Sequence, residues 1–125
     1  MLVDTDVLIW CLRGEPKAKK ALESINSYSI SAVSYLEMLQ GIKNNNELKV
    51  LKHFLHQNSV RNISIDPDIT ARAIHWMEEY SLSHSLKMAD ALVAATTDRY
   101  GLTLFTGNYT DYKFLPGLKI RQFKL

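Results

Sequence analysis

MLVDTDVLIW, residues 1–10, opens the chain with an apolar run that meets two aspartates and then turns apolar again. Leu2 and Val3 suit a strand, Asp4 stands at its end, and Asp6 to Leu12 read as a short helix leaving it. A strand that passes directly into a helix starts a βαβ unit, and the same alternation recurs downstream. Arg13-Gly14-Glu15-Pro16 is a break, with Pro16 suited to the first position of a second helix. Ala18, Ala21, Leu22 and Ile25 then recur at helical spacing, while Lys17, Lys19, Lys20 and Glu23 face water.

Ser27 to Ser31 alternates polar and apolar residues and reads as a strand. A helix from Ala32 follows, with Val33, Leu36 and Leu39 expected on its buried face and Gly41 at its end. Asn44-Asn45-Asn46 reads as a turn in which Asn46 caps the next helix, whose stripe is Leu48, Leu51 and Leu55. Ile63 and Ile65 form another short strand, and Asp66-Pro67 supplies a cap and a first-turn proline. Ile69, Ala73, Trp76, Met77 and Tyr80 line the inner face of the helix that starts there. Ser81 to Ser85 reads as a polar connection containing His84. Leu86 to Arg99 reads as an alanine-rich helix stopped by Gly101. Leu102 to Phe105, a turn at Gly107-Asn108, and Leu118 to Phe123 complete the pattern, with Lys119, Arg121 and Lys124 directed outward.

Strands alternating with helices imply a single α/β domain over residues 1–125, a three-layer sandwich with a mostly parallel sheet of four to five strands flanked by helices. The 125 residues, 46% hydrophobic, suffice for one core. The lone Cys11 excludes an internal disulfide and agrees with a cytoplasmic setting. Asp4 and Asp6 interrupt the N-terminal apolar stretch, so no secretory signal is expected, and no apolar run reaches membrane-spanning length. With 15 Lys and Arg against 13 Asp and Glu, the net charge of +2 denies a large static basic surface. Contact with nucleic acid, if it occurs, is then local and transient, or shared across an oligomer.

In parallel sheets of this kind, sites form beyond the carboxyl ends of the strands. Asp4 ends the first strand, Glu37 lies early in the helix after the second, Asp90 lies early in the alanine-rich helix, and Asp111 follows a late strand. Each has a bland reading. Asp4 and Asp6 can serve as helix-starting acids favoured by the dipole, and Glu37 can simply face solvent. Asp90, within MADALVAAT, is the hardest to dismiss as part of a solvated face. Carboxylates brought together repel and resist ionisation unless a cation resolves the conflict. Oxygen ligands without convergent histidine or cysteine favour magnesium or manganese over zinc.

Four stretches resemble the motifs of PIN domains, in family order and over nearly the whole chain. MLVDTDVLIW resembles their opening strand, with Asp4 at the metal-binding position. ISAVSYLEMLQG matches Glu37 to the second acid, and LKMADALVAAT matches Asp90 to the third. LFTGNYTDYKFLPGLKI resembles the closing strand and loop, placing Thr106, Asn108 and Asp111 at auxiliary positions. The short form looks like the VapC-type toxins of toxin–antitoxin pairs. That resemblance implies an endoribonuclease dependent on Mg2+, for which Mn2+ substitutes. It also implies RNA as substrate, a homodimer, and a cognate antitoxin whose tail enters the groove over the acids. Asp4, Glu37 and Asp90 would hold the metal, Asp111 would support them, and Thr106 would orient a water. Two departures stand out: Asp6 replaces a frequent Asn, and Asn108 replaces a frequent aspartate, leaving open whether Asn108 or Asp111 completes the site.

Two other readings compete. Asp4-Thr5-Asp6 also resembles the DxD opening of aspartate-nucleophile phosphohydrolases, although the closing stretch lacks their acidic pair and the chain has no room for a cap module. A non-catalytic PIN module binding RNA or protein is the second, although degenerate examples lose the acids kept here. His53 and His56, three apart on a helix, read as surface residues for want of a third ligand. His84 and Lys87 could touch an RNA phosphate. Trp10, Trp76 and the six tyrosines could stack bases, with core packing favoured for Trp76.

Overall fold

The computed structural model describes residues 1–125. Strand β1 (Leu2–Val3) is followed by helices α1 (Thr5–Leu12) and α2 (Pro16–Glu23). Strand β2 (Ser29–Ser31) leads into α3 (Ala32–Gln40) and α4 (Asn45–Gln57). After β3 (Arg61–Ile63) come α5 (Pro67–His84) and α6 (Met88–Arg99). Strand β4 (Thr103–Thr106), a 3-10 turn (Tyr109–Asp111) and β5 (Lys119–Gln122) complete the order. The five strands form one sheet in the order β3-β2-β1-β4-β5, and every pairing is parallel. The fold is therefore α/β as expected, with the upper strand count and no antiparallel member.

Alternation along the strands divides the interior into two cores. Leu2, Ile63 and Leu104 point to one face, where they meet Ile69, Ala73 and Trp76 of α5 and the small residues Ala91, Ala94 and Ala95 of α6. Val3, Ile30 and Phe105 point to the other, against Val7 and Leu8 of α1, Leu22 of α2, Met38 of α3 and Leu51 of α4. Because side chains alternate with a period of two, a short parallel strand buried on both faces must be apolar at consecutive positions. Leu2-Val3 and Leu104-Phe105 meet that requirement, and they lie in register with each other.

Local chemistry fixes most helix starts. Ser31 accepts from the Val33 N–H at 3.1 Å, and Asp66 accepts from the Ile69 N–H at 2.8 Å ahead of Pro67. Helix α4 corrects the expected cap. Asn44, rather than Asn46, accepts from the Glu47 N–H at 2.9 Å, while the Glu47 carboxylate accepts from the Lys43 N–H at 3.0 Å. Two otherwise orphan donors are thereby satisfied by side chains at the helix start, which no arrangement beginning at Asn46 provides.

Further expectations give way to tertiary packing. Leu36 is 59% exposed. Val33, Ser34 and Met38 take the inner face of α3, and a position two residues from both Ser34 and Met38 points away from it. Within the stripe expected for α4, Leu51 is buried while Leu48 and Leu55 are only half-buried. Ile65 lies beyond β3, which stops at Ile63 so that Asp66 can begin α5. The stretch from Ser81 to His84, expected as a connection, is helical: α5 continues through His84, whose ring stacks on Phe114 with centroids 4.4 Å apart. That contact, with Tyr80 set edge-on to the same histidine, carries a serine-rich turn that local propensity alone would release.

At the opposite end of the α5–α6 pair, Arg72 bonds Asp98 at 2.6 Å and Asp68 at 3.4 Å, and Arg99 reaches Asp68 at 2.6 Å. These are the three ion pairs of the structure, and their partial exposure limits what they add to stability. Leu104, fully buried in a strand paired on both sides, is a sharper test of the core. Leu104→Ala should cost about 2–5 kcal/mol in chemical denaturation. Leu82→Ala, at a side chain 98% exposed, should change stability by no more than about 0.5 kcal/mol.

Candidate acidic site

The pairing of β1 with β4 builds the centre of the site. Val3 lies opposite Phe105, so the residues that follow them, Asp4 and Thr106, emerge side by side at the carboxyl ends of adjacent strands. The chain leaves β1 towards β2 and β3, then returns to place β4 and β5 on the other side. This is the switch point at which parallel sheets leave a crevice. The Asp4 N–H donates to the Phe105 carbonyl at 2.9 Å, continuing the ladder one step past the strand.

Asp4 is only 5% exposed. It caps α1 by accepting from the Thr5 N–H at 2.8 Å. Its second oxygen accepts from the Thr106 hydroxyl at 2.8 Å and from the Tyr112 hydroxyl at 3.0 Å. The cap reading holds, and the same carboxylate meets Thr106 and Tyr112 at the switch point. Burial raises its pKa above the usual carboxylate range, and the charge of Glu37 adds to the effect, against the hydrogen bonds that lower it.

Asp90 lies in the first turn of α6, a position favoured by the helix dipole. It is half-buried, and its one hydrogen bond is to the Tyr112 hydroxyl, at 3.2 Å. Burial first, then the negative charges of Asp4, Asp111 and Glu37, push its pKa up to about 6. Glu37 lies in the second half of α3 rather than early in it. It is exposed at the rim and accepts from the Thr5 hydroxyl at 2.9 Å, which ties α3 to the start of α1.

Asp6 faces the other wall. Its carboxylate accepts from the Gly107 N–H at 2.8 Å and from the Val7 N–H at 2.8 Å, and burial followed by the Asp4 charge raises its pKa to about 6. A Cβ at Gly107 would stand 2.6 Å from the nearer Asp6 oxygen, so a side chain there would force that carboxylate to shift from its bond to the Gly107 N–H. Thr106 is fully buried and spends its proton on Asp4 while accepting from the Asn108 N–H at 3.0 Å. Its contacts orient the carboxylate. The side chains of Asn108 and Asp111 are exposed and make no hydrogen bond, and Asp111 acts on the site through its charge on Asp90.

The structure therefore gathers Asp4, Asp6, Glu37, Asp90 and Thr106 and leaves Asn108 and Asp111 at the edge. Sequence reasoning missed Tyr112 as a member of the site. It is 1% exposed, which removes it from the tyrosines available to stack bases. No local pattern marks it, because its partners come from the end of β1 and from α6. Trp76 is buried as expected, whereas Trp10 stays partly exposed. His53 and His56 are exposed and stand in no ligating group.

None of the clustered carboxylates is paired with a lysine, arginine or histidine. The positive charge that would ordinarily settle buried acids is missing from the protein itself. As they stand, no three acidic, histidine or cysteine side chains converge on one point. An all-oxygen set with two facing aspartates nevertheless suits a hard divalent cation, which takes one or two carboxylates and keeps most of its water.

The chain belongs to the PIN-domain family, whose model matches residues 1–113. Members of that family are typically nucleases and generally metal-dependent. Among solved structures, a chain of a toxin–antitoxin complex from Klebsiella pneumoniae is 28% identical, with a TM-score of 0.83 over 99% of this chain and 98% of its own. A chain of VapBC2 from Rickettsia felis, bound to a DNA fragment from their promoter, is 19% identical, with a TM-score of 0.85 over 98% of each. A chain of DNA-bound VapBC from Salmonella typhimurium is 18% identical, with a TM-score of 0.84 over 97% of this chain and 96% of its own. No curated protein matches the sequence. No helix is long and apolar enough to cross a membrane.

One measurement checks the electrostatics of the site and a second its packing. An aspartate in an unfolded chain gives up its proton near about 3.9, whereas Asp90 keeps it to about 6 in the fold. Between those values the folded state binds more protons, so Asp90 erodes stability as pH rises through the window and continues to cost above it. In EDTA, Asp90→Asn should raise the melting temperature at pH 7.5 by a few degrees and change it little at pH 4. An equal gain at both pH values would contradict the account. Separately, Gly107→Ala should destabilise by about 1–3 kcal/mol through overpacking. The cost should shrink when Asp6→Ala is present, because the two side chains meet directly.

Proposed function

We propose that this protein is a metal-dependent endoribonuclease and the toxin of a toxin–antitoxin pair. The observation that carries the reading is the set of carboxylates without counter-charges at the switch point, with buried Asp4 and half-buried Asp90 on either side of one hydroxyl. Family membership supports nuclease chemistry, and the 28% identical chain in a toxin–antitoxin complex supports the biological setting. On this reading Asp4, Glu37 and Asp90 hold Mg2+, or Mn2+ in its place, directly or through water. The bound cation would make water a better nucleophile and stabilise charge on the phosphoryl group.

The protein's own residues orient and confine. Thr106 and the Thr5 N–H fix both oxygens of Asp4, so that carboxylate cannot turn away. Glu37 closes the α3 side, held by the Thr5 hydroxyl, and Asp111 supports Asp90 from the rim. Asn108, exposed on the loop after β4, would hold water or substrate on this reading. The RNA backbone would cross the open side, and contact is brief because the chain carries only +2 net charge. Partners on this reading are the RNA substrate, a second copy of the chain and a cognate antitoxin, in the cytoplasm. An aspartate nucleophile fits less well. The hydrogen bonds to both Asp4 oxygens lower its nucleophilicity, while a carboxylate's roughly four acceptor sites still leave room for a cation.

Purified protein incubated with total cellular RNA and Mg2+ or Mn2+ should give discrete products, and EDTA should abolish them. Asp90→Asn should lower the rate by about 100-fold or more, the scale seen when one electrostatic contributor to a transition state is removed. Undiminished cleavage by that variant, or cleavage in EDTA, would sink the assignment. Metal binding without cleavage of any RNA would favour a binding module.

A further inference from the structure

Tyr112 hydrogen-bonds two carboxylates from distant parts of the chain, yet it has a single proton to give. Its oxygen lies 3.0 Å from Asp4 and 3.2 Å from Asp90. We propose that Tyr112 is a positioning residue of the acidic site, a fixed post that sets Asp90 opposite Asp4 before a divalent cation enters. The inference rests on the metal-dependent reading above.

Three observations carry it. The first is rigidity: the Tyr112 ring is 1% exposed and packs with Leu104, Leu115 and the buried face of α6, so the core determines where its hydroxyl stands. The second is asymmetry. Asp4 keeps its bonds to Thr5 and Thr106 whether or not Tyr112 has a hydroxyl, whereas Asp90 has no other hydrogen-bond partner. Loss of the hydroxyl therefore frees one acid and leaves the other in place. The third is proton count. A hydroxyl donates to one carboxylate at a time, and the second oxygen then faces a lone pair. Two acids with no cationic side chain beside them are thus held close by one shared donor. That geometry gains from a cation taking the remaining oxygens of both. Groups that orient metal ligands in this way typically contribute roughly 10–100-fold to metal affinity.

The test is a double-mutant cycle read by Mn2+ binding, using calorimetry or the relaxation of water protons, in the absence of RNA. Tyr112→Phe keeps the ring and removes only the hydroxyl. It should weaken Mn2+ binding by roughly 10–100-fold in the wild-type background. In the Asp90→Asn background the same substitution should have almost no further effect, because Tyr112 acts through Asp90. A merely structural role for the hydroxyl would instead weaken both backgrounds by the same factor. Equal affinity of Tyr112→Phe and wild type, or full additivity with Asp90→Asn, overturns the proposal. Failure of the wild-type protein to bind Mn2+ at all would overturn the underlying cation reading, a distinguishable result. Thermal melts in EDTA confirm that each variant is folded, and Asp90→Ala replaces Asp90→Asn in the cycle if the latter is not.

Discussion

The register of β1 against β4 is the constraint on which the site depends. Two residues of strand on each side, Leu2-Val3 and Leu104-Phe105, fill opposite cores with alternate side chains. The next residue on each strand is then obliged to sit at the sheet's carboxyl edge, and those residues are Asp4 and Thr106. A slip by one position would exchange the two faces of the strand and carry Asp4 away from its partner. The apolar demand of the two cores and the polar demand of the site are thus met by one alignment. Short strands suffice because both faces are covered by helices.

Around that alignment the charges are arranged unevenly. Acids gather at the carboxyl edge without counter-charges, while Arg72 and Arg99 pair with Asp68 and Asp98 at the far end of α5 and α6. Such an arrangement costs free energy in the protein alone. Hydrogen bonds from Thr5, Thr106, Gly107 and Tyr112 hold the carboxylates in place but supply no positive charge. On the proposed reading, a small divalent ion is the ligand that relieves this tension.

Much of this was readable from local chemistry. The alternation of strands and helices, the cap at Asp66, and the proline starts at Pro16 and Pro67 follow from side chains acting on backbone within a few residues. Of the acids, only Asp90 stands out from its apolar context alone; Asp4 and Glu37 are singled out by the resemblance of their stretches to family motifs. What escaped depends on contacts across the chain. His84 remains helical through its stack on Phe114, Leu36 is exposed by the packing of Ser34 and Met38, and Tyr112 gains its role from partners far away in sequence. The exchange of Asn46 for Asn44 is a different failure, since Glu47 completes a cap whose signal was present in the sequence.

The bonds that complete the acidic pocket join residues 102 and 108 positions apart. Contacts of such separation form late, after the loop entropy of the intervening chain has been overcome. During synthesis, Asp4 leaves the ribosome early, long before Thr106 and Tyr112 can reach it. The growing polypeptide therefore carries all its early acids without an organised pocket between them. Assembly of the pocket therefore waits for the C-terminal part of the chain: a polypeptide that stops short of β4 and Tyr112 carries the early acids but not the hydrogen bonds that hold them.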